Sequence, residues 1–493
     1  MTTAHTPLPR LRRIRWYVGG LSLLLGVVVV LLGLRGVQDI VEPRKIIVLV
    51  AEIDGPDSAR STVSDNVVAM LRLSLAGVGD VEVRRLGRVL TVQDGRPAAR
   101  MWGERQNARV VLWGRYYRTA STVALELEAE LLAWPKMIPL SAAKDYVVSA
   151  VLAEPDHFTV QQILAEERGV FEALVEGLTR YEGADYPEAV QRLGAALNQA
   201  PGSVVSQVVL VRGNAWLLSG EADLAIADYT DALELSPADA AAYTNLGVAF
   251  AVQGKQRLAI NQYDRALALG SSQPAAYINR GTAYAVGGDH QKAVEEYNRA
   301  LQVDPEDATA YLDRGVSYAI LADHRRALTD FNRSLRINPK QATAYLNRGL
   351  SYAALQDYRR AVADYSRALE IDPRSARAYY HRGVAYAFQD KNQEAIDDFS
   401  RAIQIDPRYA DAFRDRGVTH LVMGKSDKAI EDSSRAIEID PNDARAYFNR
   451  GVAHIVQGDP QRGADDLNKV LEISPDPALR KRTQDELNRM RRE

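Results

Sequence analysis

The sequence predicts a mainly α chain: a solenoid of about nine stacked helix pairs, preceded by one membrane-spanning helix and a small α/β domain. Three observations predict it. Glycines recur every 34 residues from Gly213 to Gly451, residues 16–34 carry no charge, and short β-rich and helical stretches alternate between 45 and 134. A length of 493 residues is too much for one ordinary core, which agrees with several domains or an array. Apolar residues make up 46% and charged residues 25%, with 61 basic against 64 acidic side chains. That balance excludes a disordered chain and argues against a nucleic-acid binder. Cysteine is absent, which removes disulfides, thiolate metal sites and thiol nucleophiles and leaves the redox compartment open.

In chain order, residues 1–15 are a short basic tail, and "WYVGGLSLLLGVVVVLLGL" (16–34) would span about 28 Å as a helix. A cleaved secretory signal is the competing reading, but the apolar run is long for a signal core and "GLRGVQD" is a poor cleavage site. Arg10, Arg12, Arg13 and Arg15 precede the run, against Arg35, Arg44 and Lys45 after it. The bias puts the amino terminus in the cytosol and the bulk of the chain outside it, as a single-pass protein of a bacterial envelope, in contact with the bilayer through residues 16–34.

Residues 45–134 read as the α/β domain. Ile46 to Val50 form an unbroken apolar run that suits a strand buried on both faces. Val63, Val67, Leu71 and Leu75 share one helical face, "DVEVRRL" is a second strand, and Pro97 opens a second helix. "RVVLWGRYYRTASTVALELEAELL" is then a hairpin turning at Thr119 to Thr122. Residues 135–169 read as a linker and a joining helix.

The array occupies 170–477. Twelve residues after the glycines stand Ala225, Ala259, Ala293, Ala327, Ala361, Ala395 and Ala429; nineteen after stand Ala232, Ala266, Ala300, Ser334, Ala368, Ala402 and Ala436. Pro237, Pro305, Pro339, Pro373, Pro407, Pro441 and Pro475 close the units, with Ser271 as the one departure. Small residues let helices approach, and Pro ends an element because it cannot continue a helix. Tyrosine and phenylalanine fill one place on each helix, for example Tyr277 and Tyr297, and read as core. Residues 478–493 are a polar capping helix, which a stacked array needs at its end.

These residues resemble the tetratricopeptide repeat family, a 34-residue helix-turn-helix. The segment Ala98 to Arg118, with Gly103, Ala108 and "VLWG" at 111–114, resembles the small domain shared by the TolB amino-terminal domain and FlgO-type proteins. That resemblance implies a non-catalytic, exported domain. The repeat resemblance implies that the residue two before each glycine faces a concave groove: Asn245, Asn279, Asp313, Asn347, His381, Asp415 and Asn449. They are similar to the asparagine row of O-linked N-acetylglucosamine transferases, whose amides hold an extended peptide. An amide donates and accepts at once, so such a row can pair with a peptide main chain whatever its sequence. The competing reading has these side chains serving local turns or water. The carboxylate clamp of some co-chaperone repeats is absent: its places hold Ile278, Leu312 and Leu346, then Thr282, Val316 and Leu350, an apolar floor.

An Arg precedes each of the last six glycines, from Arg280 to Arg450, and a carboxylate such as Asp330 or Asp364 stands sixteen residues later, so a repeated ion pair across helices is expected, with a phosphate-binding stripe as the alternative. Phosphate-loop, zinc-protease and nucleophile-elbow motifs are absent, and no cofactor, metal or catalytic residue is expected. The function expected is therefore a non-enzymatic, membrane-anchored scaffold that binds an extended partner segment. The alternative is a sensory subunit whose α/β domain binds a ligand and whose repeats relay it to a separate effector. Oligomeric state is left open.

Overall fold

A computed structural model describes residues 46–52, 64–65, 67–69, 71–72, 75–76, 81–90, 95–118, 123–131, 137–143, 146–153, 158–163, 168–198, 202–270 and 274–490. The expected membrane span at 16–34 lies outside them, and among the described residues no helix is long and apolar enough to cross a membrane. The chain divides into two units, residues 1–132 and 133–493.

In the first unit the apolar run becomes β1 (Ile46–Glu52), whose residues 47–51 are buried. It pairs in parallel with β2 (Val81–Val89) and with β3 (Val110–Arg118). A central parallel strand is covered on both faces, which is why its sequence does not alternate. β3 turns into the antiparallel β4 (Val123–Leu131), in register from Val110 opposite Leu131 to Arg118 opposite Val123, giving the order β2-β1-β3-β4. Parallel neighbours need crossovers. One carries helical residues among 64–72, with Val67 and Leu71 buried, and the other carries α1 (Gly95–Arg105). Ile47, Leu49, Ala99, Val111 and Trp113 form the core on one side of the sheet.

The second unit departs from the expected linker. Residues 137–151 form a hairpin of β5 (Met137–Ala143) and β6 (Tyr146–Val151), and a further strand, β7 (Phe158–Ile163), stands where the joining helix is expected. The helix starts only at Arg168.

Nine antiparallel helix pairs follow among the described residues. They are α2 (Arg168–Glu182) with α3 (Tyr186–Leu197), α4 (Gly202–Leu218) with α5 (Ala222–Leu235), and α6 (Ala240–Val252) with α7 (Gln256–Ala268). Next come α8 (Ala275–Val286) with α9 (His290–Val303), α10 (Ala308–Ile320) with α11 (His324–Ile337), and α12 (Ala342–Ala354) with α13 (Tyr358–Ile371). The last are α14 (Ala376–Ala387) with α15 (Asn392–Ile405), α16 (Ala410–Val422) with α17 (Ser426–Ile439), and α18 (Ala444–Gln457) with α19 (Pro460–Ile473), closed by α20 (Pro477–Met490).

Several helix starts carry a capping carboxylate. Asp239 accepts from the Ala241 and Ala242 amides, and Asp307 from Ala310, satisfying donors that a helix start leaves free. The recurring glycine is steric in origin. A Cβ on Gly247 would stand 2.4 Å from the Tyr263 ring, and one on Gly315 2.7 Å from Phe331. In these repeats the aromatic ring sixteen residues on therefore packs directly against bare backbone.

The arginine that follows six of the seven ladder positions, from Arg280 to Arg450, joins three helices. Arg314 donates Nε and Nη2 to the two Asp330 oxygens at 2.8 and 2.7 Å, within its own repeat, and Nη1 to Asn298 of the preceding repeat at 2.6 Å. Arg348 repeats this with Asp364 and Asn332, and Arg416 with Asp432 and Ser400. Only a planar fork with a spare nitrogen can bridge both neighbours at once. This geometry gives the guanidiniums carboxylate partners inside the array, the structural role rather than the phosphate stripe.

Candidate functional site: the groove ladder and the strand seated on it

The seven ladder positions recur once per repeat on the first helices from α6 to α18, and three of them meet β6 and the two residues after it. Asn245 accepts from the Ala153 amide and donates to the Ala153 carbonyl, both at 2.7 Å. Asn279 does the same with Val151, at 2.7 and 2.8 Å. Asp313 accepts from the Ser149 amide at 3.2 Å. One rung thus takes every second residue, because alternate residues of a strand present N–H and C=O to the same edge.

That alternation explains the hairpin's composition. Ser149 and Val151 spend their main-chain groups on the ladder, so they are non-hydrogen-bonded partners of Pro139 and Met137 across the hairpin. Pro139 therefore loses no bond to β6, and it stands on the outer strand, where a missing N–H is tolerated. Val148 and Val151 join the apolar cluster of Ile278, Leu312, Val316 and Phe331, while Ala150 and Leu152 join that of Leu246, Tyr229 and Tyr263. The apolar floor expected around Ile278 and Leu312 lies in the first of these clusters.

Two further residues touch the strand and were not singled out by sequence reasoning as ligands. Asn214 donates to the Ala153 carbonyl at 3.3 Å and accepts from Asn245 and from the Tyr229 hydroxyl. Thr282 is hydrogen-bonded to the Ser149 carbonyl at 3.2 Å and to the Tyr297 hydroxyl. Both stand one residue after the repeat glycine. A polar residue at a place that is Val248, Val316, Leu350, Val384 and Val418 elsewhere was the available signal.

Asp313 is an acceptor-only rung. It is fully buried, its second oxygen has no partner, and burial pushes its carboxyl well above the usual range, against the smaller pull of the Ser149 amide. Thr282 supplies the donor to the Ser149 carbonyl that an aspartate lacks. Tyr263, buried beside the apolar Val248, has no partner for its OH, and burial raises its phenol above the ordinary value.

The remaining rungs stand apart from the strand. Asn347 is 1% exposed, and neither amide atom has a partner. His381 is half-buried against the Tyr365 and Tyr380 rings. Asp415 accepts from the Tyr380 hydroxyl at 2.8 Å and from Arg414 at 3.0 Å, and Asn449 is half-buried. Among the described residues no group of three or more His, Asp or Glu is placed to hold a metal ion.

Tetratricopeptide-repeat family models match residues 213–254, 286–320 and 349–390, 376–409, 418–488, and 308–341. Comparison with curated proteins finds no match. Among solved structures the chain is similar to MamA, at 31% identity over 32% of this chain and 92% of that one, with a TM-score of 0.31. It is also similar to YrrB, titled a TPR protein with an unusual peptide-binding site, at 23% identity over 39% and 99%, with a TM-score of 0.34. The Cut9–Hcn1 structure aligns at 14% identity over 66% and 76%, with a TM-score of 0.45. The helix pairs built around the repeat glycines between residues 213 and 488 are tetratricopeptide repeats.

Proposed function

We propose that this protein is a non-enzymatic scaffold whose groove binds an extended segment of a partner protein, held at a membrane through residues 16–34 with the array on the extracytoplasmic side. Solenoids of this kind offer an extended concave surface and generally serve protein interaction. The observation that carries the reading is the pair of amides at Asn245 and Asn279, each donating to and accepting from one residue of an extended strand. These bonds use main-chain atoms alone, so the same row suits a strand of another chain. The resemblance of residues 45–134 to exported envelope domains and the charge bias around 16–34 support the orientation.

Photocrosslinking in cells tests the binding. A photoreactive residue at Val422, in the groove, is expected to give a discrete adduct, whereas one at Arg367, exposed on α13, gives none. Equal adducts from both positions, or none from either, would refute the groove as the binding face. Protease treatment of spheroplasts carrying a tag after Glu493 tests the orientation: loss of the tag supports export, and protection until lysis overturns it.

A further inference from the structure

We infer that copies of this chain bind one another head to tail, the outer face of α5 in one copy meeting the outer face of α11 in the next. The inference does not involve the groove and starts from charge along the array. Residues 213–254 hold six carboxylates and no Lys, Arg or His. Residues 321–340 hold Arg325, Arg326, Arg333, Arg336 and Lys340 against Asp323 and Asp330.

Both runs centre on a second helix of a pair, and each helix turns its aromatic, Tyr229 or Phe331, inward against a repeat glycine. Their outer sides differ at the same three places of the 34-residue period. Ten, eighteen and twenty-one residues after the glycine stand Asp223, Asp231 and Glu234 on α5, and Arg325, Arg333 and Arg336 on α11. No other second helix is acidic at all three places or basic at all three; α13, with Arg359, Arg367 and Glu370, is typical of the mixture.

The two faces are open. Asp223, Asp231 and Glu234 are exposed, and among the described residues none is in an ion pair; Asp223 takes only the Gln253 amide. Asp228, on the inner side of α5, is held by Arg212. On α11 the one carboxylate, Asp330, is buried and held by Arg314, so the outer side is wholly basic. Arg325 and Arg336 are exposed without a carboxylate partner among the described residues, while Arg326 and Arg333 hold Asp323 and Glu306 in surface pairs. Such pairs are weak enough to be exchanged for new ones. Leu224 and Leu235, 45% and 57% exposed, lie among the acids of α5, and the methylene stems of facing arginines can cover them while the guanidiniums reach the carboxylates.

The spacing makes the fit specific. Eight residues, about 12 Å of helix, separate Asp223 from Asp231 and Arg325 from Arg333 alike. Laid side by side in parallel, the helices bring all three carboxylates level with all three guanidiniums. The faces are unlike and three repeats apart, so the contact is heterologous: each copy keeps one face free for the next, and association extends into a row or closes into a ring.

The chain has no cysteine, so disulfide crosslinking reads the contact directly. Ala227 and Thr329 occupy one place in the period, fourteen residues after the glycine, and are exposed midway along the two faces. Two differently tagged full-length copies, one with Ala227→Cys and one with Thr329→Cys, are expressed together and oxidised with copper phenanthroline. A disulfide-linked pair carrying both tags is expected, about tenfold above what either cysteine forms with itself. Reversing α5 in both copies (Asp223→Arg, Asp231→Arg, Glu234→Arg) should lower that yield about tenfold, because like charges then face each other. Adding Arg325→Asp, Arg333→Asp and Arg336→Glu to the same chains should restore it, which also shows that the reversed chains fold. Absence of the mixed pair, equal pairing of each cysteine with itself, a yield indifferent to the first reversal, or no recovery on the second overturns the inference. The groove reading is decided separately, by the photocrosslinking at Val422.

Discussion

Replacing Asp313 with Asn should stabilise the protein at neutral pH. The carboxylate is fully buried, holds the Ser149 amide with one oxygen at 3.2 Å, and has no partner on the other. Burial raises its folded pKa well above the 3.8 of the unfolded chain. The sign follows. Below about pH 3.8 both states are protonated and nothing is lost; as pH rises, the unfolded chain ionises first, so stability falls until the folded carboxyl also ionises. Asparagine does not titrate. Its oxygen keeps the Ser149 amide, and its NH2 can add a second donor to the Ser149 carbonyl, completing the rung as in Asn279. An unsatisfied buried acceptor costs about 1–3 kcal/mol, so the expected gain at pH 7 is about 2 kcal/mol, shrinking towards zero near pH 4. Urea unfolding from pH 4 to pH 8 reads the gain, and hydrogen exchange at Ser149 localises it, since repeat arrays unfold in segments. A variant no more stable than the parent at pH 7, or one whose advantage is the same at pH 4 and pH 8, would refute the assignment of Asp313 as the penalised rung.

The other predictions concern the repeats themselves. Tyr263→Phe removes an orphaned buried hydroxyl and should raise stability by about 1 kcal/mol, whereas Tyr297→Phe breaks the bond to Thr282 and should lower it by about 1 kcal/mol; opposite shifts in urea midpoint are the check. Arg348→Ala leaves Asp364 buried and unpaired and should cost about 3 kcal/mol, and Arg348→Lys should restore only part of it, because a single ammonium cannot hold Asp364 and Asn332 together; thermal unfolding of the two variants compares them. Gln356 turns the corner between α12 and α13 at φ +63°, where five other repeats have glycine, so Gln356→Gly should gain about 1 kcal/mol by the same measurement.

The repeat array was legible because its packing is local. Gly315 and Phe331, or Arg314 and Asp330, stand sixteen residues apart and meet within one helix pair, so a 34-residue period carries both the residues and their contacts. The α/β unit was legible for a related reason, since the unbroken run at Ile46–Val50 and the β-rich stretches around Thr119–Thr122 state their strands directly. The ladder, too, was readable as a row of positions.

What filled the groove was not. "YVVSAVLA" reads as a short apolar run in a connecting stretch, and its partners lie 92, 128 and 164 residues away in sequence. No period links them. Asn279 and Asn347 occupy the same place in nearly identical hexapeptides, yet one closes a strand's hydrogen bonds and the other has none. Sequence by itself determined which residues repeat, because helix-pair packing depends on near neighbours along the chain. Only the tertiary structure decided which rungs are used, because that depends on where a strand that precedes the array in sequence is laid across it, and on how far along the groove its hairpin reaches.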